Sequence, residues 1–333
     1  MSSAATGATF CVVKKPDSYE PYEFKLSDKF QKLAKEELRE DDEIREQALA
    51  IMREWIAKHP YIHKCRTDAN FLLRFLRFRK FSIPQAQEAI EKYLVMRQSF
   101  PKWFQKLDCN DELMRSAIDD AVLLPLGQDE EGRQIIWVHF GNFDVEKLDP
   151  IAEFRYLVLF LELMLEDEEF QIAGVRAWAD YTNSTMKHYG IWGIPDMKLL
   201  MDAVNRMIPF RIRAIHGVKL PKFAVAIANL LLSFATPKLR DRINCHNTVL
   251  ESKKHFDKSL WPQEYGGPVD VDQKLRELKK RFAERREAIL ALDDMEIDIQ
   301  HLASLQVHQN RWDQENAEVD GGIAGCFRKL NVD

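Results

Sequence analysis

Phe154-RYLVLFLELMLEDEEFQIAGVRAWAD, residues 154–180, changes its periodicity partway along. In its first half Phe154, Leu157, Val158, Leu161 and Leu165 fall on one helical stripe, while Leu159, Phe160 and Leu163 cover a second. A helix over about 151–167 that is apolar almost all round is one buried on several sides. Glu166-Asp167-Glu168-Glu169 then reads as a solvated helix end, and because acids oppose the dipole at a C-terminus, the helix is expected to stop slightly early. The apolar residues that follow predict a strand over 172–180.

The same alternation continues outward. A helix over 195–208, a strand over 211–218, a helix over 221–234 and a further strand near 243–246 follow in order. Upstream, Ala121-VLLP and Gln134-IIWVHF flank the polar turn Gly127-QDEEGR, which predicts two strands and a tight connection. Alternating strands and helices imply an α/β layer with a mainly parallel sheet. The region before Leu107 is helical in pattern. In Asn70-FLLRFLRFRKF, Phe71, Phe75 and Phe78 form a stripe, and Arg74, Arg77, Arg79 and Lys80 are expected on the remaining surface. Ser82-Ile83-Pro84-Gln85 has the form of a capping box. An amphipathic helix over 274–290 has Leu275, Leu278 and Phe282 on one side.

Composition narrows the class. The chain has 333 residues, 46% hydrophobic and 30% charged, with a formal charge of −5, as expected of a two-domain globular protein. Cys11, Cys65, Cys109, Cys245 and Cys326 are scattered and form no C-x-x-C, so neither a disulfide framework nor a cysteine zinc site is expected. The N-terminus lacks the pattern of a signal peptide, and neither end carries a lipidation motif. The most apolar stretch, 223–235, is 13 residues and contains Asn229 and Ser233, too short and too polar to span a bilayer. A cytoplasmic location follows as the expectation.

Catalytic motifs are missing: there is no G-x-S-x-G, H-E-x-x-H or G-x-G-x-x-G. Gly127-x4-Gly132 lacks the Lys-Ser/Thr of a phosphate loop and is filled with acids. His59 and His63 are separated by Pro60 and read as surface histidines, while His139 and His216 read as satisfied strand positions. No metal and no cofactor is expected.

Two features stand out instead. The helices at 154–165 and 223–234 carry more apolar surface than one core face needs, which suits the lining of a cavity for an apolar ligand. Between Arg211 and Arg242 seven basic residues face Asp241 alone, a local charge of +6 that leaves −11 on the rest of the chain. An apolar helix bracketed by Lys and Arg fits an anionic membrane surface better than nucleic acid, for which aromatic stacking positions are lacking.

Asn70-FLLRFLRFRKF, Leu165-EDEEFQIAG, Met207-IPFRIRAIH, Phe234-ATPKLRDRI and Leu260-WPQEYGG, in that order over roughly 40–270, resemble the CRAL-TRIO lipid-binding family, in the branch of alpha-tocopherol transfer protein and cellular retinaldehyde-binding protein. The first 25 and last 40 or so residues lie outside the match: 1–25 reads as a flexible arm and 271–333 as a C-terminal helix and tail, while the resemblance implies a helical CRAL-TRIO-N unit at 26–107 followed by an α/β lipid-binding domain at 108–270. It implies no enzyme activity, and a mobile gate helix over about 219–242 carrying Phe223, Val225, Ile227, Leu230, Leu231 and Phe234. It places phosphoinositide head groups on Arg79, Arg211, Lys238 and Arg242, with Arg213 nearby and equally able to form an internal salt bridge. The ligand positions it implies are Phe154, Leu157, Val158 and Leu161 on one helix, and Val175 and Ala179 on a strand. Leu200, Ala203, Val204, Ile208 and Phe210 follow on the next helix and its exit, with Ile212 and Ile215 on the next strand. Leu157 and Leu161 replace serines of the tocopherol binder, which favours a more uniformly apolar ligand such as a carotenoid, a retinoid, a sterol-like lipid or a long acyl chain over tocopherol itself. Burying ~400 Å² of such a ligand at about 25 cal/mol per Å² gives roughly 10 kcal/mol before association costs. The expected function is an intracellular carrier that encloses one hydrophobic molecule and exchanges it at phosphoinositide-containing membranes, to which it binds peripherally and reversibly. The alternative is a phosphoinositide-binding adaptor in membrane trafficking.

Overall fold

The computed structural model describes residues 12–147, 149–190 and 192–300. Cys11, Cys326 and the tail beyond residue 300 lie outside them. The helical part runs through α1 (Asp28–Leu33), a π-helical turn (Ala34–Leu38), α2 (Asp42–Lys58), a short strand β1 (Ile62–Lys64), α3 (Ala69–Phe78), α4 (Ile83–Ser99), α5 (Pro101–Phe104) and α6 (Glu112–Asp119). The sheet strands are β2 (Leu123–Gln128), β3 (Gln134–His139), β4 (Val175–Asp180), β5 (Ile212–Val218) and β6 (Ile243–His246). Between β3 and β4 lie α7 (Pro150–Leu165) and α8 (Glu168–Ala173). Then come α9 (Met186–Gly190) and α10 (Ile194–Asp202), with a π-helical turn (Ala203–Met207), before β5. α11 (Val225–Ser233) and α12 (Pro237–Arg240) separate β5 from β6. The described chain ends through α13 (Val249–Lys253), α14 (Val271–Leu290) and β7 (Glu296–Ile297).

The sheet order is β2-β3-β4-β5-β6. β2 and β3 form the expected antiparallel hairpin, and β3 to β6 are parallel. α14 returns to pack on β2 and α7 through Leu278 and Phe282, and β7 pairs antiparallel with β1. α7 crosses the core: Phe154, Val158, Leu159, Phe160, Leu161, Leu163, Met164 and Leu165 are all buried.

Several expectations need correction. The strand begins at Val175, because Ile172 and Ala173 belong to α8 and pack on Phe30, Ala34 and Leu38. Ser82 starts α4 without a side-chain cap; Pro84, whose ring presets the helical φ, stands in the first turn instead. His139 is only half-buried and lies against Trp137. His59 Nδ1 accepts from the Tyr61 and Ile62 amides at 3.3 and 3.2 Å and so closes a turn.

The largest correction concerns charge. Arg74 and Arg77 are fully buried, not on the surface, and of the acidic run Glu166 is buried while Asp167, Glu168 and Glu169 are half-buried. Arg74 spans two carboxylates of α7 and its end, Glu162 at 3.0 Å and Glu166 at 2.7 Å. Buried Arg66 also reaches Glu166, at 2.8 Å. Arg77 holds Glu40 through two hydrogen bonds of 2.8 and 2.9 Å, and reaches Glu168 at 2.9 Å and Gln171 at 2.8 Å. Tyr93 donates to Glu162 at 2.7 Å. Asp167 caps α8 by accepting from the Glu169 amide at 3.0 Å. Burial alone pushes the Glu166 carboxyl up, but Arg66 and Arg74 outweigh it and hold it below the usual range.

Removing one member of such a network leaves its partners buried and unmatched, which costs about 3–5 kcal/mol. Glu166→Gln is therefore expected to lower the unfolding free energy by about that amount in urea denaturation. A loss below about 1 kcal/mol would mean that the buried arginines find other acceptors.

Candidate ligand pocket and anion cleft

The chain leaves the sheet at Val218 and returns at Ile243, and the excursion between carries α11 and α12. Residues 225–233, VAIANLLLS, hold no charge and only two polar side chains, yet α11 has no buried residue. Its inner side touches the protein: Leu231, Leu232 and Phe234 pack with Leu200, Val204, Ile212 and Ile215 around Met201, Ala235 and Leu239. Ile227 is half-buried. On the outside Phe223 and Val225 are each 43% exposed and Leu230 39%. Met186 on α9 and Ile194 on α10 are 56% and 60% exposed. Both helices adjoin the α11 excursion, where the Tyr189 and Phe223 rings meet edge to face at 5.6 Å.

The expected ligand residues fall into two groups. Phe154, Val158, Leu161, Val175, Ala179, Ala203, Ile208 and Phe210 are buried. Leu157, Leu200, Val204, Ile212 and Ile215 are half-buried although they sit against the core; the last four pack with α11, so the apolar surface there is incompletely covered. The even spacing of Val175 and Ala179 puts both on one face of β4. Glu153, next to Phe154, is a polar neighbour with no sequence signal. Its Oε2 accepts from Trp192 Nε1 at 3.2 Å, its Oε1 is buried without a partner, and burial pushes its carboxyl up to about 8.

The four residues expected to meet a phosphate do converge. Arg79, Arg211, Lys238 and Arg242 line one cleft of about 390 Å³, together with Lys80, Arg213 and Asn205. Each arrives by a different route. α3 ends in two consecutive left-handed residues, Lys80 (φ 49°) and Phe81 (φ 59°), which turn the chain at the cleft edge. Gly174 (φ 84°) lets the α8–β4 junction pass so close to Arg211 that a Cβ would lie 2.4 Å from its carbonyl oxygen. Thr236 caps α12, which carries Lys238, and its hydroxyl donates to Asn205 Oδ1 at 3.2 Å.

The cations in this cleft repel one another. Lys238 is held below its ordinary value by Arg242 first, then by burial, Lys80, Arg211 and Arg213. Burial and Arg213 bring Arg211 down to about 10, and the same two causes lower Arg242. Among the described residues no carboxylate lies within ion-pair distance of Arg79, Lys80, Lys238 or Arg242, and Arg79 Nε is buried without an acceptor. Glu37, from the first π-helical turn, is the exception in the cleft. It accepts from Arg211 at 2.7 Å and also from Arg213, which hold it below the usual carboxylate range despite burial. Arg213 thus makes the internal salt bridge that was one of its two expected roles. Neither Glu37 nor Lys80 was singled out as part of this site from the sequence.

Residues 120–267 match the CRAL/TRIO domain, and residues 41–114 match the Pinta-like UBA domain. Clavesin-1 of Mus musculus is 30% identical over 238 residues, 71% of this chain and 67% of its own length. Clavesin-2 of Homo sapiens is 29% identical over 243 residues, 72% and 74% of the two chains. The crystal structure of Sfh5 aligns with a TM-score of 0.40 at 14% identity, covering 79% of this chain and 100% of that one. On the strength of the domain match and the clavesin relatives, the chain belongs to the CRAL-TRIO lipid-binding family.

Proposed function

We propose that the protein carries one hydrophobic small molecule beneath α11 and exchanges it at membranes that display phosphoinositides. The observation that carries this reading is α11 itself, an almost wholly apolar helix without one buried residue. A helix of that composition in water leaves surface uncovered at about 25 cal/mol per Å². A ligand fills the space on its inner side, and a bilayer covers its outer side when the helix swings out. Phe223, Val225, Leu230, Met186 and Ile194 form the apolar contact with lipid, and the cationic cleft beside them meets the head groups.

The cleft suits a multiply charged phosphate. Arg offers paired donors to phosphate oxygens and Lys a point charge, and an arriving anion relieves the repulsion among Arg211, Lys238 and Arg242. Lys238 and Arg242 belong to the same excursion as α11, so an anion bound there pulls on the gate. A membrane that binds the open state better than the closed one shifts the gate equilibrium by that difference. The lining at Leu157 and Leu161 favours a retinoid, carotenoid or similarly apolar cargo over one that needs several polar anchors.

The double variant Lys238→Ala, Arg242→Ala is expected to bind phosphoinositide vesicles at least about tenfold more weakly in sedimentation, while keeping its ligand affinity in solution. Unchanged sedimentation would remove the cleft from docking. Glu37→Gln releases Arg211 and Arg213 to an incoming phosphate, and the same assay is expected to show binding about threefold tighter or more. A weaker or equal affinity in that variant would mean Glu37 does not compete with the head group.

A further inference from the structure

Three histidines from separate segments, His216 some 30 positions or more from the other two, meet on the sheet face that carries Trp178. His216 stands on β5 opposite Trp178, His246 is the last residue of β6, and His255 follows α13. One ring nitrogen of each lies within 4.8 Å of the other two, and His216 Nδ1 is 3.0 Å from His246 Nε2. His216 is buried, His246 half-buried and His255 exposed, so the group opens to solvent on one side. A buried imidazole is satisfied by one or two partners; converging three rings, two of them at the surface, does nothing further for the core.

The surroundings hold this geometry in place. Trp178 Nε1 donates to Ser252 on α13 at 3.0 Å, and Phe256 stacks on Trp178 with ring centres 4.4 Å apart. Arg176 donates to the His255 carbonyl at 2.7 Å, and its charge is matched by Asp129 at 3.3 Å. Glu251, also on α13, is the carboxylate that acts electrostatically on His246. Three imidazoles with a solvent-open side form the donor set of a borderline divalent cation with water in the remaining position.

We propose that His216, His246 and His255 bind one zinc-class divalent metal ion at the two feet of the α11–α12 excursion. His216 precedes that excursion and His246 follows it, and the Lys219 amide donates to the His246 carbonyl at 3.0 Å. A bound ion fastens both feet to the turn that carries His255. The site is independent of the cargo and of the cationic cleft, which lies among Arg79, Arg211, Lys238 and Arg242.

The test is a Zn(II) titration of the untagged full-length protein against a chromophoric chelator. The wild type, His246→Ala, His255→Ala and Cys245→Ser are compared, the last because the exposed Cys245 thiol is a neighbouring soft donor. The expected result is one equivalent bound by the wild type and by Cys245→Ser, weakened at least about tenfold in each histidine variant. Zn(II) is also expected to raise the melting temperature of the wild type and not of the two variants. Both substituted rings reach solvent, and an unchanged melting temperature without metal verifies the fold. Equal uptake by all four proteins, loss confined to Cys245→Ser, or no wild-type binding tighter than about 100 µM overturns the proposal.

Discussion

Arg66, Arg74 and Arg77 have no exposed surface, and the position of the functional surfaces follows from how their charges are matched. An unpaired guanidinium in the core is prohibitive, so α3 can sit only where Glu162, Glu166, Glu40 and Glu168 meet it. This is a constraint on orientation more than a source of net stability, since a buried ion pair roughly offsets its own desolvation. Its consequence is directional. Fixing α3 against α7 and α8 brings the end of α3, with Arg79 and Lys80, to the cleft that Arg211, Lys238 and Arg242 line from the sheet side. The same contacts hold α7, whose other residues wall the apolar interior.

The excursion between β5 and β6 joins two kinds of incompleteness. α11 is apolar and only partly covered, while the cleft formed with the same excursion collects cations that lower one another's proton affinity. Each half is unfavourable in water, and on the proposed function each would be relieved by one component of an anionic bilayer, its acyl region or its phosphates. Glu37 partly relieves the second half within the protein itself, because it neutralises Arg211 and Arg213 and leaves the remaining cations unmatched. On the proposed function, this surface would exchange an internal carboxylate and ligand in solution for a phosphate and lipid at the membrane.

The α/β alternation was legible because strands and helices on one core differ in period, and β4, β5 and β6 lie close to where the pattern put them. The cationic cluster was legible partly as a run of charge between Arg211 and Arg242, but Arg79 entered only through family resemblance. What stayed hidden has a common cause. Arg74 and Arg77 look like the wet side of an amphipathic helix until their carboxylate partners, some 90 positions away, are brought against them. The acidic run beginning at Glu166 misled for the same reason, since only a folded partner distinguishes a buried acid from a solvated one. Glu37 reaches Arg211 and Arg213 across more than 170 positions, and no local pattern marks such a pair. His216 and His246 read as separate strand residues because parallel pairing of β5 and β6, which sets them together, is itself a tertiary event.

On the proposed function one hydrophobic ligand sits beneath α11. That claim is tested most directly by purifying the protein under native conditions, extracting it with organic solvent and weighing the bound small molecules by mass spectrometry. After exposure to a mixed retinoid, carotenoid and tocopherol pool, one apolar species near one equivalent per chain is expected. A protein that emerges empty from that pool, or loaded with an unselective mixture far from unit stoichiometry, would contradict the claim.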